Sequence, residues 1–264
     1  MVDSVSRFNG FAATYDRARP RPPADLVDLL TQWSGVAEPD VLDIGAGTGL
    51  STVVWAGRAQ HALALEPGED MRAIAKQRFA ELSASPTVFK VINATAEQTG
   101  LPDECVDIVT ASQAMHWFDP AELLPEVARL LRPGGVFAAY DVDWPPAIDE
   151  AVDAAYNEVN RRIAALPRET EDETRRWGKA GHLARMVESG LFSYAREICL
   201  HSRDTGGPER LVDLMRSQSG IAAVLTKGHT EDEIGLTALR EIATARMTES
   251  TTWWWTYRIR VAAK

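Results

Sequence analysis

The chain has 264 residues, enough for one α/β domain with an insertion or for a domain with a small lid, and its composition is that of a globular protein. Its 38 acidic against 28 basic residues give a formal charge of −10, which repels a phosphate backbone and argues against nucleic acid as a substrate. There is no run of roughly 20 apolar residues for a membrane span, no apolar signal-peptide core in Met1 to Gly10, and no metal-ligand or redox spacing around Cys105 and Cys199, so a reduced, cytoplasmic, metal-free protein is expected.

In chain order, Arg17-Ala-Arg-Pro-Arg-Pro-Pro23 stops any helix and Ala24 to Trp33 restarts one. From Val41 the pattern alternates: strand 41–44, helix about 50–58, strand 61–66, helix about 69–82, strands 88–92 and 106–111, helix about 120–131, strand 135–141. Short apolar runs between amphipathic helices predict a mainly parallel sheet covered on both faces. Trp144-Pro145-Pro146 then breaks the rhythm. Ala147 to Leu166 reads as a long helix with Ile148, Val152, Ala155, Tyr156, Val159 and Ile163 on one stripe, and is the lid candidate. A charged stretch from Arg168 to Arg176 leads to Trp177 and a helix near Gly181 to Ser189. Phe192 to His201 is strand-like, and Pro208 to Arg216 and Glu231 to Met247 are helical. Thr251 to Val261 alternates as a seventh strand, with Trp253, Trp255, Tyr257, Ile259 and Val261 on one face and Trp254, Thr256, Arg258 and Arg260 on the other. The tryptophan run is read as packing.

Val41-Leu-Asp-Ile-Gly-Ala-Gly-Thr-Gly49 carries an apolar strand into a turn with glycine at 45, 47 and 49. Such a turn leaves no side chain between the main chain and a ligand, and is read as a nucleotide-cofactor loop. A dinucleotide fingerprint requires glycine at position 50 to bring a pyrophosphate onto the helix N-terminus, and position 50 is Leu. The second strand ends in Leu65-Glu66-Pro67, placing a carboxylate at a strand tip where it can accept hydrogen bonds from both hydroxyls of a ribose.

Together with Ala96-Glu97-Gln98-Thr99-Gly100-Leu101-Pro102 and Val106-Asp107-Ile108-Val109, these residues resemble the class I S-adenosylmethionine-dependent methyltransferases of the small-molecule branch, over roughly Phe8 to Tyr140. The resemblance implies a doubly wound, mainly parallel, seven-stranded Rossmann-like α/β fold with a helical lid insertion, and S-adenosylmethionine as cofactor. It implies Tyr15, Arg19, Asp43, Gly45, Gly47, Gly49, Glu66, Pro67, Thr95, Ala96, Glu97 and Ser112 as cofactor-binding residues. Many relatives carry an aspartate where this chain has Thr95, so adenine recognition shifts toward main-chain groups at Ala96 and Glu97. Tyr15 with Arg17, Arg19 and Arg21 matches an aromatic residue followed by Arg-Pro in this branch: the tyrosine closes over the cofactor, and a guanidinium pairs with the methionine carboxylate or an acidic substrate.

The fourth strand ends in Thr110-Ala-Ser-Gln-Ala-Met-His-Trp-Phe-Asp119, without the [DN]-P-P-[YF] tetrapeptide by which nucleic-acid and protein amino-methyltransferases hold an amine. Its His-Trp pair resembles small-molecule carboxyl methyltransferases, including the trans-aconitate type. Trp117 is then a donor for a carboxylate oxygen, and His116 a second donor or a base for a hydroxyl substrate. Gln113, Trp144 and Trp177 complete the implied acceptor site. The expected activity is methylation of a carboxylate or hydroxyl of a small molecule, with N- or C-methylation, or cofactor binding without transfer, as alternatives. The expected organisation is a single domain: a helical cap over 1–35, a cofactor-binding core over 36–143, a lid over 144–190 and the remaining sheet over 191–264. Oligomeric state is open.

Overall fold

The computed structural model describes residues 16–166 and 177–264. Tyr15 and the charged stretch Arg168 to Arg176 lie outside the described residues. Strands β1 (Asp40–Ile44), β2 (His61–Leu65), β3 (Val88–Ile92), β4 (Val106–Ser112), β5 (Leu131–Val142), β6 (Tyr194–Thr205) and β7 (Thr252–Ala263) form one sheet in the order β3-β2-β1-β4-β5-β7-β6. Pairing along β3-β2-β1-β4-β5 is parallel, and β7 runs antiparallel to β5. This is the α/β fold expected from the alternation. Strands β1, β4 and β5 read as continuous apolar runs because both faces are covered, and Val41, Leu42, Ile44, Ile108, Val109, Phe137 and Ala138 are fully buried.

The flanking helices are α1 (Ala24–Ser34), which packs on β4 and β5, α2 (Glu69–Glu81) on β3, and α3 (Pro120–Leu130) on β5. Helix α3 starts where Pro120 sits in the first turn, and the Asp119 carboxylate accepts the N–H of Ala121 at 3.0 Å. Among the described residues, β5 is followed by the helices α4 (Glu150–Ala165), α5 (His182–Glu188), α6 (Pro208–Arg216), α7 (Ser219–Thr226) and α8 (Leu236–Arg246). No helix among the described residues is long and apolar enough to cross a membrane.

Several expected elements differ. The helix expected over about 50–58 is a single 3-10 turn, Thr52–Trp55. The hydroxyls of Ser51 and Thr52 bend inward onto Asp43, the β-branched pair Val53-Val54 disfavours a regular helix, and Gly57 at φ 72° turns the chain away. The helix expected from Ala147 starts at Glu150, because Ala147 is bridged to Trp254 and Asp149 is the N-cap, accepting from Ala151 and Val152. The helix expected from Glu231 starts at Leu236, after Gly235 at φ 82°. Helix α7 has no counterpart in the sequence reading. Strands β5, β6 and β7 each extend beyond the expected bounds.

By compactness the chain divides into two units. One comprises Arg21–Val142, Arg175–Leu200 and Tyr257–Lys264, and holds the parallel sheet. The other comprises Met1–Pro20, Asp143–Thr174 and His201–Thr256. In the latter, α4 packs on α7 and α8, and α6 on α7 and α8, burying Val152, Tyr156, Val159, Leu211, Leu214, Met215 and Leu239. Trp253 and Trp255 are buried while Trp254 is 54% exposed, so the alternation read in the sequence is real, and the Trp253 indole donates to the Gly206 carbonyl at 2.9 Å.

Candidate functional site

Strand register sets the site. Ile44 pairs with Leu65, Leu65 with Ile92, and Asp43 with Thr110, so the segments that follow β1, β2, β3 and β4 all leave the sheet at its carboxyl edge. Backbone bonds lock them together there: Ala46 N to Leu65 O at 3.1 Å, Glu66 N to Ile92 O at 3.0 Å and Gln113 N to Tyr140 O at 2.8 Å. Ligands of open α/β sheets bind at this edge.

The three glycines of the first turn all have positive φ, for different reasons. A Cβ on Gly45 would lie 2.8 Å from Phe118 Cζ, and one on Gly49 would lie 2.9 Å from Phe79 Cε1, so these two are small because the protein packs against them. A Cβ on Gly47 meets nothing within 4 Å. Glu66 curls over the same turn: Oε2 accepts the Gly47 N–H at 2.9 Å and Oε1 the Gly68 N–H at 2.7 Å. Burial raises its carboxyl above the ordinary value against the pull of those two donors. This donor and acceptor set suits an adenosyl group: a carboxylate beside a turn whose main chain is bare. Pro67 offers its carbonyl to Arg72, which also reaches Glu66 O at 3.2 Å and Asn93 Oδ1 at 2.9 Å.

Asp43 is fully buried. Its carboxylate accepts from Ser51 at 2.6 Å, Thr52 at 2.7 Å and Thr110 at 2.8 Å, and burial raises its pKa. The side chain therefore shapes the turn from beneath. Thr95 is exposed and bridged to Gln98, Ala96 is buried, and Glu97 accepts the backbone N–H groups of itself and Asp119, with its pKa raised by burial. Ser112 bonds to the hydroxyl of Tyr140, which is also bonded to Ser51 and is pushed far above its usual pKa by burial.

At the end of β4, Gln113 adopts φ 53°, in the left-handed region, and Met115–Trp117 form a 3-10 turn in which the His116 and Trp117 rings lie 5.0 Å apart. The segment after residue 176 is tied to this turn, since Trp177 N donates to His116 O at 2.9 Å and Lys179 Nζ to Gln113 Oε1 at 2.8 Å. Lys179 also pairs with Asp141 at 2.7 Å, whose other oxygen takes Arg260 Nη1 at 2.9 Å, and Arg260 Nε reaches Glu197 at 2.8 Å. Nearby His182 is fully buried, accepts from Arg185 at Nδ1 at 3.0 Å, and is held neutral by burial with a pKa of about 4.

Arg19 and Trp144 come together in the other unit. The Arg19 guanidinium lies 5.0 Å from the Trp144 ring centroid and donates to Ser217 Oγ at 2.9 Å and Ser217 O at 2.8 Å, while Trp255 meets Trp144 edge-on at 5.4 Å. Tyr15 falls outside the described residues. Arg72, Arg78, Tyr140 and Lys179 take part in this hydrogen bonding without having been expected at the site from the sequence. Arg78, which reaches Thr48 of the glycine turn, and Arg72 both lie on α2, where basic residues read as a solvated face. Among the described residues, no cluster of three His, Cys, Asp or Glu side chains is placed to hold a metal ion.

Residues 42–139 match the family model of a methyltransferase domain. An uncharacterized methyltransferase of Mycobacterium tuberculosis is 38% identical over 133 residues, 50% of this chain and 51% of that protein. The chain thus spans about half the length of the first curated relatives it matches. A malonyl-[acyl-carrier protein] O-methyltransferase of Serratia marcescens is 27% identical over 242 residues, 90% of this chain and 84% of that protein. A solved structure assigned as a type II methyltransferase from Anaeromyxobacter dehalogenans is 26% identical, covers 93% of this chain and 97% of its own, and superposes with a TM-score of 0.66.

Proposed function

We infer that this chain, whose residues 42–139 match a methyltransferase domain, is a class I S-adenosylmethionine-dependent methyltransferase that transfers the methyl group to an oxygen of a small molecule, a carboxylate in preference to a hydroxyl. The observation that carries the acceptor half is Gln113. Its amide oxygen is occupied by Lys179, which leaves the NH2 group as the face offered at the end of β4. Trp117, four residues further along the same segment, carries an indole that is likewise a donor and never an acceptor. Two N–H donors at one strand end suit an acceptor that presents oxygens. The similarity over most of the chain to a protein named as an O-methyltransferase of a malonyl group supports the same reading, as does the net charge of −10, which disfavours a polyanion. Within the family this corresponds to the small-molecule carboxyl branch that includes the trans-aconitate type.

When bound, S-adenosylmethionine supplies an electrophilic methyl on a sulfonium. The chain's part is positioning and exclusion of water. Glu66 accepts from the ribose hydroxyls, and the bare main chain at Gly47 allows close approach. The donors at Gln113 and Trp117 hold one acceptor oxygen while the other is left to react. A carboxylate is already ionised at neutral pH and needs no base, so His116 acts as a donor and as a wall.

The test is transfer of isotopically labelled methyl to a panel of small carboxylic acids, phenols and amines, followed by alkali. The expected product is an ester that releases its label as methanol. Label that survives alkali on an amine or a carbon would overturn the assignment.

A further inference from the structure

We propose that Lys179 is a positioning residue that sets the orientation of the Gln113 side-chain amide, making Gln113 an N–H donor toward an oxygen-bearing acceptor; this deepens the acceptor reading above and rests on it. Lys179 Nζ lies 2.8 Å from Gln113 Oε1 and 2.7 Å from Asp141 Oδ1. An ammonium only donates, so it fixes which end of the amide it faces: the oxygen toward Lys179, the NH2 group away from it. Without that partner the amide can flip, and the strand end offers an acceptor as readily as a donor.

The rest of the arrangement holds Gln113 still. Its backbone stands at φ 53°, a region non-glycine residues seldom occupy and one associated with functional positions, and its N–H is fixed to Tyr140 O at 2.8 Å. The ammonium is anchored in turn. Asp141 is buried between Lys179 and Arg260, and Arg260 reaches Glu197, so a row of alternating charges ends on one neutral amide. A second tether, Trp177 N to His116 O at 2.9 Å, brings the same segment to the turn that carries His116 and Trp117. Both tethers join residues 177–179 to the segment following β4. The first turns the Gln113 NH2 group away from Lys179 and the second occupies the His116 carbonyl, so this segment gains a donor and loses an acceptor, which favours carboxylate or carbonyl oxygens and disfavours an ammonium.

The test combines nuclear magnetic resonance with kinetics on the full chain. Asp141 keeps Arg260 as a partner in Lys179→Met, so the variant should fold. In protein labelled with 15N-glutamine, the Gln113 NH2 signals, identified by their loss in Gln113→Ala, should shift and broaden in Lys179→Met and return in Lys179→Arg, whose guanidinium can still donate. With malonate, succinate and benzoate as acceptor probes, Lys179→Met should raise KM about three- to tenfold with kcat and the affinity for S-adenosylhomocysteine unchanged, and Lys179→Arg should restore KM. Gln113→Glu, which removes the donor, should raise KM at least as much. Gln113 signals that ignore Lys179→Met, or signals that move while KM does not, would overturn the proposal. If wild-type protein methylates none of these acids but an amine instead, the acceptor reading fails, and the amide signals alone still decide whether Lys179 orients Gln113.

Discussion

Gly47 donates its backbone N–H to Glu66 Oε2 at 2.9 Å, so the two halves of the proposed adenosyl site, nineteen positions apart, are joined by a bond of the protein itself. With the other carboxylate oxygen on the Gly68 N–H, Glu66 is held at the tip of β2 with its lone pairs facing the glycine turn.

Replacement of Glu66 by alanine should therefore weaken S-adenosylhomocysteine binding by about 1.5 to 3 kcal/mol, the range for hydrogen bonds to a charged group, and replacement by glutamine should cost less. Because burial raises the Glu66 carboxyl, wild-type affinity should decline as pH falls through that raised value, whereas Glu66→Gln should show no such decline. Calorimetric titration across the acid range checks both. Equal affinities of Glu66→Ala and wild type would remove Glu66 from the site.

The glycines separate packing from binding. Gly45→Ala and Gly49→Ala press a methyl against Phe118 and Phe79 and strain a positive φ, so each should lose about 2 to 4 kcal/mol in urea unfolding. Gly47→Ala bears only the backbone strain, about 1 to 2 kcal/mol, yet should bind S-adenosylhomocysteine at least tenfold more weakly, by about 1.4 kcal/mol or more. A folded Gly47→Ala protein with full affinity would mean that the cofactor does not approach there.

His182 gives the fold an acid-sensitive term. Its folded pKa of about 4 lies below the ordinary histidine value of 6.5 because the ring is buried. The unfolded chain therefore takes up a proton first as pH falls, so the stability associated with the neutral ring is full above 6.5 and is lost toward 4. Between neutrality and pH 5 this amounts to about 2 kcal/mol. Urea unfolding of wild type and His182→Gln over that range should give the wild type the steeper loss, and parallel curves would contradict it.

Trp117→Phe keeps an aromatic wall and removes the indole donor, so turnover of a carboxylate acceptor should fall by about one to two orders of magnitude with little change in cofactor affinity. With His116→Ala the pH profile for a carboxylate should stay flat from about pH 6 to 9, since no proton has to be removed. A profile that loses an ionisation in the variant would show that His116 serves as a base, and hence that the acceptor is a hydroxyl.

Much of the parallel sheet and the cofactor turn could be read from the chain because both rest on local rules. Apolar runs mark strands buried on both faces, and Gly45, Gly47 and Gly49 mark a turn of positive φ angles. What distinguishes Gly47 from its neighbours was not readable, since it depends on Phe118 and Phe79, residues distant in the chain. Lys179 escaped for the same reason: its partners, Gln113 and Asp141, precede it by 66 and 38 positions, and an isolated lysine after a charged stretch looks solvated. Asp43 adds a further case, since the three hydroxyls that bind its carboxylate come from Ser51, Thr52 and Thr110, and the last lies 67 positions away. The helix boundaries near residues 50, 147 and 231 were lost to tertiary hydrogen bonds and glycine turns that outweigh propensity.

Strand order also has a consequence for how the chain is made. Strand β6 joins the sheet only through β7, yet β7 follows it by more than forty residues. During synthesis, β6 and the outer edge of β5 both leave the ribosome as open edges with no partner available. Completion of the sheet is then an insertion between two waiting strands rather than an addition at a rim, and the interval before it is when the nascent chain is most exposed to pairing with the wrong neighbour.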